Sequence, residues 1–555
     1  MRTTESRRTA AGAADSAADS AAPAVQAARE TLEDYTLRFA PRSYRRWTPM
    51  VVATTALGGI AYMADFSIGA GIGLAHGTGN ALVAIAVAAV VIFVTGFPLA
   101  YYGARYNIDL DLITRGSGFG YYGSVLTGII FASFTFIFFA LEGAIMAQGL
   151  NLGLGLPLWL GYAVSTLMVI PLVVYGMKAL SKLQVWTTPL WLLLMVGPLV
   201  YLLANDPGSF DRFLAYAGTD ADGAVNTASV MLGAGVCLSL IAQIGEQIDY
   251  LRFMPPKTEA NKRAWWTAVV MAGPGWVVLG ALKQAIGVFL AVHVIAEVGP
   301  AAAPEPIQQF RGAFEEMMPS WTVVPLAVVL VVISQIKINV TNAYSGSLAW
   351  TNSFTRVTRH YPGRMVFVLV NLAFALALME ADMFSFLNSV LGFYSNCAIA
   401  WVVTVATDIG VNKYVLKLSP LQPEFRRGML HAVNPVGVVA FVTASGLSIA
   451  VYFGLLGDGL QPYSPVAAAV IAFAVTPLMA VVTKGRYYLR RTDDGIAEPL
   501  LDPDGNPSAV TFDCHVCRQS FERPDVAACA AHDAVVCSLC LSTDRTGGHV
   551  LPAAG

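Results

Sequence analysis

Charge is what this chain has least of. Only 13% of its 555 residues are Asp, Glu, Lys or Arg, against 56% hydrophobic, a balance that excludes a soluble domain of this length. The net charge of −2 provides no general basic surface, so nucleic acid is excluded as a partner. Residues 1–40 are rich in Ala, Ser and charge but have no apolar h-region. That excludes a signal peptide and predicts a disordered cytosolic tail over 1–32. No H-E-x-x-H, no G-x-S-x-G and no histidine cluster lies in the apolar segments, so nothing there points to an enzyme. Cysteine is nearly absent before residue 500, with only Cys237 and Cys397.

What is present is a series of apolar runs. Stretches near 48–75, 79–103, 119–149, 157–176, 183–204, 226–248, 264–294, 320–347, 363–380, 384–408, 433–456 and 463–484 each have the length and composition of a membrane helix. They predict an all-α polytopic membrane protein with about twelve spans. The loops test the count independently. "GARYNIDLDLITR", "GMKALSK", "LRFMPPKTEANKR", "TRVTRHYPGR" and "NKYVLKLSPLQPEFRR" are basic, whereas the alternate loops carry almost no Lys or Arg. By the positive-inside rule the basic set and both termini face the cytoplasm of a cell (inner or plasma) membrane. An even number of spans requires that result.

Two spans are unlike the rest. The first holds "GGIAYMADFSIGAGIGLAHG" with Asp65 in its middle, and the sixth ends in "SLIAQIGEQIDYLRF" with Glu246 and Asp249. Gly-interrupted, acid-bearing helices survive in a membrane only where protein or water receives their freed backbone groups. Positions one and six match in two five-helix halves, which is the pattern of an inverted repeat with two extra helices.

Intramembrane ionisable groups are functional by default, although they also pair structurally. In the third span Glu142 follows Phe138 and Phe139 in "FFALE". In the eighth, Ser334, Lys337, Thr341 and Ser345 share a face, with Asn339 and Asn342 beside it. That is too much polarity for lipid, so the segment should look into the bundle. Pairing of Lys337 with Glu142, Asp65 or Glu246 and a hydrated solute or proton site are both open readings.

The chain resembles the nucleobase:cation symporter-1 (purine–cytosine permease-like) transporters. The similarity covers roughly residues 33–485 and rests on "YTLRFAPRSYRRW", "RGSGFGYYGS", "IDYLRF", "NAYSGSLAW" and "ATDIGVNKYVLK", read in order. It implies a five-plus-five inverted repeat plus two helices, a midplane site shared by spans one, three, six and eight, and alternating access coupled to Na⁺ or H⁺. It implies Phe138 and Glu142 as substrate contacts in span three, Gln243 and Glu246 in span six, and Asn339 or Asn342 in span eight. Family members often stack substrate on a span-six tryptophan, but none lies between residues 226 and 250 here. The family's sodium hydroxyls align with Lys337-Ile338. The resemblance therefore leads to Lys337 standing in for sodium against carbonyls around Gly58–Ala61, with Asp65 and Thr341 sharing in ion or proton coupling. On that expectation transport of a small nitrogenous solute is Na⁺-independent, driven by H⁺ or by exchange.

Beyond 33–490, a polar linker over 491–511 leads to a Cys-rich unit, 512–555. Cys514-x2-Cys517 and Cys537-x2-Cys540 are spaced for a closed tetrahedral structural Zn²⁺ site. Disulfides are the alternative, disfavoured by a reducing cytosol. Cys529 and His532 form a middle pair, with His549 as further donor and Asp544 as a poor substitute. A second site thus looks incomplete. Contact with a cytosolic protein, gating, and a receptor or sensor that signals through the zinc unit all stand as uses for it.

Overall fold

The structure is a computed structural model that describes residues 36–174, 176–219 and 223–552. The expected disordered tail, 1–32, lies outside the described residues. Every apolar run forms helix. Among the described residues nine helices are long and apolar enough to cross a membrane, and a tenth span is the bent pair Pro49–Ala61 and Ala64–His76, angled by 49°. Leu158–Val174 and Arg364–Glu380, of 17 residues each, supply spans four and nine.

Spans one, six and seven are interrupted. Span one stops at Ala61 and restarts at Ala64. Span six narrows to a tighter 3₁₀ stretch, Leu238–Gln243, between Thr227–Cys237 and Ile244–Leu251. Span seven is also divided, into Lys262–Ala272 and Trp276–Ala302 around Pro274, whose ring cannot continue a helix. Span eight, expected to end near 347, continues to Thr358. Its extension is polar but buried against protein, so it does not need to stop at a hydrocarbon boundary.

The helices sort into two packed sets and a remainder. Spans one, two, six and seven pack on one another, and spans three, four, eight and nine form the second set. Spans ten, eleven and twelve lie together at one side. Within the first set, spans one and seven meet backbone to backbone. A Cβ at Gly69 would sit 1.9 Å from the Gln284 carbonyl oxygen, and one at Gly287 2.2 Å from that of Phe66. Small residues at this spacing let helices approach closely without a hydrophobic driving force. The contact fixes the register of Lys283 and Gln284 against the break in span one.

The tail folds as two short hairpins, β1 (Thr511–Asp513) with β2 (Ser520–Glu522) and β3 (Val526–Ala528) with β4 (Val535–Cys537), followed by the helix Ser538–Thr543. It docks on the face of the basic loops. Arg38 pairs with Asp525 at 2.9 Å and Arg45 with Glu522 at 2.6 Å. Asp494, in the linker, receives both Arg426 at 2.6 Å and Arg523 at 2.8 Å.

Gly69→Ala is expected to cost about 1–3 kcal/mol by overpacking. Gly446→Ala, where the added carbon meets nothing within 4 Å, is expected to be neutral. Thermal midpoints of the purified variants check both.

Candidate substrate and cation site

A broken helix leaves carbonyls without partners on one side and N–H groups on the other. At the break in span one, oppositely charged side chains satisfy the two sides. Lys283 Nζ donates to Ile60 O at 2.6 Å and Tyr62 O at 2.8 Å. The Glu142 carboxylate accepts the N–H of Met63 at 3.3 Å and of Ala64 at 3.2 Å. The ammonium thus lies at the negative end of the first half-helix and the carboxylate at the positive end of the second, both favourable. Lys283 also pairs with Asp65 Oδ2 at 2.9 Å, and Gln284 Nε2 donates to Asp65 Oδ1 at 2.8 Å. All four side chains are buried.

The expectation put the Lys337 ammonium on these carbonyls. The structure places it elsewhere. Its Nζ donates to Thr188 Oγ1 at 2.8 Å, reaches Gln184 O at 3.5 Å and lies 5.7 Å from the Trp191 ring, all in span five. Ser334 turns the same way and accepts from Trp191 Nε1 at 2.8 Å. The physical reason is that the shared face of span eight divides along its length. Its earlier turns face span five. Thr341 meets Tyr250 of span six at 2.7 Å, and Ser345 donates to Asp249 at 2.6 Å.

The face of span eight that looks towards Glu142 is a different one. Gln335, Asn339 and Asn342 follow an i, i+4, i+7 rhythm, and Gln335 faces Glu142. Asn339 Nδ2 donates to Phe139 O at 3.4 Å and Asn342 Nδ2 to Asn339 Oδ1 at 3.1 Å. In span six Gln243 Nε2 donates to Glu246 Oε2 at 2.6 Å. Two buried oxygens here, Asn342 Oδ1 and Glu246 Oε1, have no partner, while the Gln335 amide is turned to Glu142 and Tyr62 Oη to Asp65. Buried polar groups normally find a partner. Phe138 is buried in span three, its ring tilted by 35° at 4.5 Å from that of Phe134.

Lys283 and Gln335 were not among the sequence candidates. A lone lysine in the apolar run "GALKQAIGVF" carries the same signal as Lys337, so Lys283 was legible. Gln335 was not, because nothing in the pattern separates its face from that of Ser334.

A cavity of about 360 Å³ lies farther along, between the second half of span one, the first half of span six and spans ten and twelve. Gly71, Gly235, Asn388 and Pro465 are among its walls. At the other face the quoted motifs serve as ties. Asp111 joins Arg115 and Arg356 at 2.7 Å each. Lys413 of "ATDIGVNKYVLK" bonds to Gly116 O of "RGSGFG" at 3.1 Å.

Residues 40–454 match the profile of the permease family for cytosine/purines, uracil, thiamine and allantoin. The chain belongs to that family. Its fold is that of Mhp1, a nucleobase-cation-symport-1 family transporter. The closed form with bromovinylhydantoin bound superposes with a TM-score of 0.59 at 16% identity, covering 82% of this chain and 99% of that one. The inward-facing form gives 0.54, also at 16% identity, with 82% and 97% covered. A Na⁺-coupled sialic acid symporter in a substrate-bound outward-open state gives 0.55 at 13% identity, with 81% and 92% covered. No curated protein sequence matches the chain. The permease is thus a multi-pass membrane transporter, built as the apolar runs predict.

In the permease's tail, the sulfurs of Cys514, Cys517, Cys537 and Cys540 all lie within 4.8 Å of one another. The Cys517 and Cys537 sulfurs are 3.9 Å apart, and all seven cysteines are free thiols rather than disulfides. Backbone N–H groups of Cys537 and Cys540 point at the Cys514 and Cys537 sulfurs. Four thiolates in a closed, mostly buried group suit a tetrahedral Zn²⁺ ion and leave no open position for catalysis.

Lys283→Met alone leaves Asp65 buried and unpaired, at an expected cost of about 3–5 kcal/mol. Adding Asp65→Asn should recover much of it, as a cycle of thermal midpoints will read. In the tail, burial pushes the Asp525 carboxyl up to about 6, with Arg38 countering in part. A carboxyl that holds its proton more tightly when folded favours the folded unit at low pH. Stability of the unit should therefore fall as pH rises from about 4 to about 6. Asp525→Asn should flatten that slope in thermal unfolding at stepped pH.

Proposed function

We propose that the chain is a secondary active transporter for a small nitrogenous ring solute, working by alternating access and independent of sodium. The observation that carries this reading is the Lys283 ammonium on Ile60 O and Tyr62 O, with Asp65 as its counter-ion. A cation that coordinates carbonyls at the break of a discontinuous helix would occupy the same electrostatic position. Here a covalently tethered ammonium fills it, so no dissolved cation is required to hold the two half-helices. Coupling then falls to a proton or to exchange. Glu142, Asp65 and Glu246 are the proton carriers the geometry offers, all within electrostatic reach of one another or of Lys283. Lys337, held by span five, is proposed as a second fixed cation rather than the sodium substitute.

The solute is read from the unpartnered atoms. Asn342 Oδ1 and Glu246 Oε1 accept, and Gln335, its amide N–H turned to Glu142, offers its carbonyl as a third acceptor or exchanges Glu142 for the solute. A planar ring with adjacent N–H and C=O groups, as in a nucleobase, hydantoin or related heterocycle, complements that set, with Phe138 as an apolar wall. Gln243 and Asn339 would position Glu246 and Asn342. The basic loops, both termini and the tail face the cytoplasm on this reading, and Zn²⁺ on the four cysteines holds the tail unit folded.

Initial uptake rates in proteoliposomes, at fixed pH gradient and voltage, should not change when external Na⁺ replaces choline. A rate that rises with Na⁺ would overturn the proposal. In a thermal-shift panel of purines, pyrimidines and hydantoins, Gln335→Ala should abolish the stabilisation that a bound solute gives the wild type.

A further inference from the structure

We infer that Cys529, His532 and His549 form a second divalent-metal site, open and exchangeable, whose filling restrains the transport domain. The three donor atoms lie within 4.8 Å of one another. Both histidines turn Nδ1 to the same sulfur, His532 at 3.3 Å and His549 at 3.2 Å. The corresponding edge of a tetrahedron with ordinary Zn–S and Zn–N bonds is about 3.5 Å. One thiolate and two neutral imidazoles suit a borderline-soft divalent ion such as Zn²⁺. Unlike the four-cysteine group, this one supplies three ligands, with Cys529 buried and His532 exposed. A fourth position is left to water, so the ion can enter and leave.

The surroundings fit a built site. Cys529 N–H donates to Ala534 O and Ala534 N–H to His532 O, each at 2.8 Å, closing the turn that presents the first two donors. Asp544 shapes the third. Its Oδ2 accepts the His549 N–H at 2.9 Å and its Oδ1 the N–H groups of Thr546 and Gly547 at 3.0 Å.

His549 is also the end of the segment that docks on the transport domain. Arg427, between spans ten and eleven, donates to Leu541 O and Asp544 O at 2.7 Å. Arg359, just past span eight, donates to Arg545 O at 2.8 Å, and Tyr121, ahead of span three, to Ser542 Oγ at 2.8 Å. The other side of the unit holds Arg38 and Arg45, which precede span one. The unit therefore bridges the two helix sets. Ser538 Oγ already holds the helix carrying Leu541 and Ser542 to Asp525 O at 3.1 Å, and an ion joining His549 to Cys529 and His532 would add a second tie, from the Asp544–Arg545 segment gripped by Arg427 and Arg359 to the β3–β4 turn. If the sets rock against each other, as the transport reading requires, the filled site acts as a brake.

The test uses the full chain, with Zn²⁺ alone as probe. After equilibration and removal of excess metal, wild type should hold two zinc ions per chain and His549→Ala and His532→Ala one each. A mild chelator should release one wild-type equivalent fast and the other slowly. One ion per chain in wild type, or two in both variants, would overturn the site. In proteoliposomes, micromolar Zn²⁺ on the tail side should slow wild-type uptake several-fold and leave His549→Ala unresponsive. Two ions with no zinc effect on uptake would overturn the brake. Absence of uptake in every condition would count against the transport reading, while the metal count still decides the site.

Discussion

The membrane core of this protein depends on how the break in span one is satisfied. Interrupting a helix inside a bilayer exposes backbone groups that lipid cannot bond. Here Lys283 takes the carbonyls of Ile60 and Tyr62, and Glu142 takes the N–H groups of Met63 and Ala64. Each charge opposes the dipole end it faces, and Asp65 neutralises the lysine. The arrangement joins spans one, three and seven through a few ionic contacts. It needs close helix approach, which Gly69 and Gly287 permit. A span that looks unstable on its own is thus stable only as part of three.

Around that joint the polar residues divide into satisfied and unsatisfied. Asp111 with Arg115 and Arg356, Asp249 with Ser345, and Lys413 with Gly116 O hold helix ends together. Asn342 and Glu246 keep buried oxygens without partners. Leaving a buried polar atom unpaired costs free energy.

The tail is not a pendant. Its salt bridges reach residues ahead of span one and between spans ten and eleven, and its last segment touches the ends of spans three and eight. With two short hairpins and one turn of helix it has little core, so its shape rests on the cysteine group and on the surface that holds it.

Composition and periodicity by themselves determined the membrane class, the span count, the break in span one, the irregular middle of span six and the four-cysteine group, because each is a local property of length, hydropathy or spacing; the division of span seven was not foreseen. Glu142 and Glu246 stood out as acids in apolar runs, whereas Phe138 was singled out by the family resemblance. Partnership was not local. A lone lysine marks a buried charge whether it sits at 283 or 337, and the sequence says nothing about which helix each faces. Only the crossing of span seven over span one, set by glycine contacts between residues more than 200 positions apart, gave the break to Lys283. The packing of span five against span eight likewise drew Lys337 away. His549 was already legible as a further donor to Cys529 and His532, and the chain's return after the last knuckle places it there.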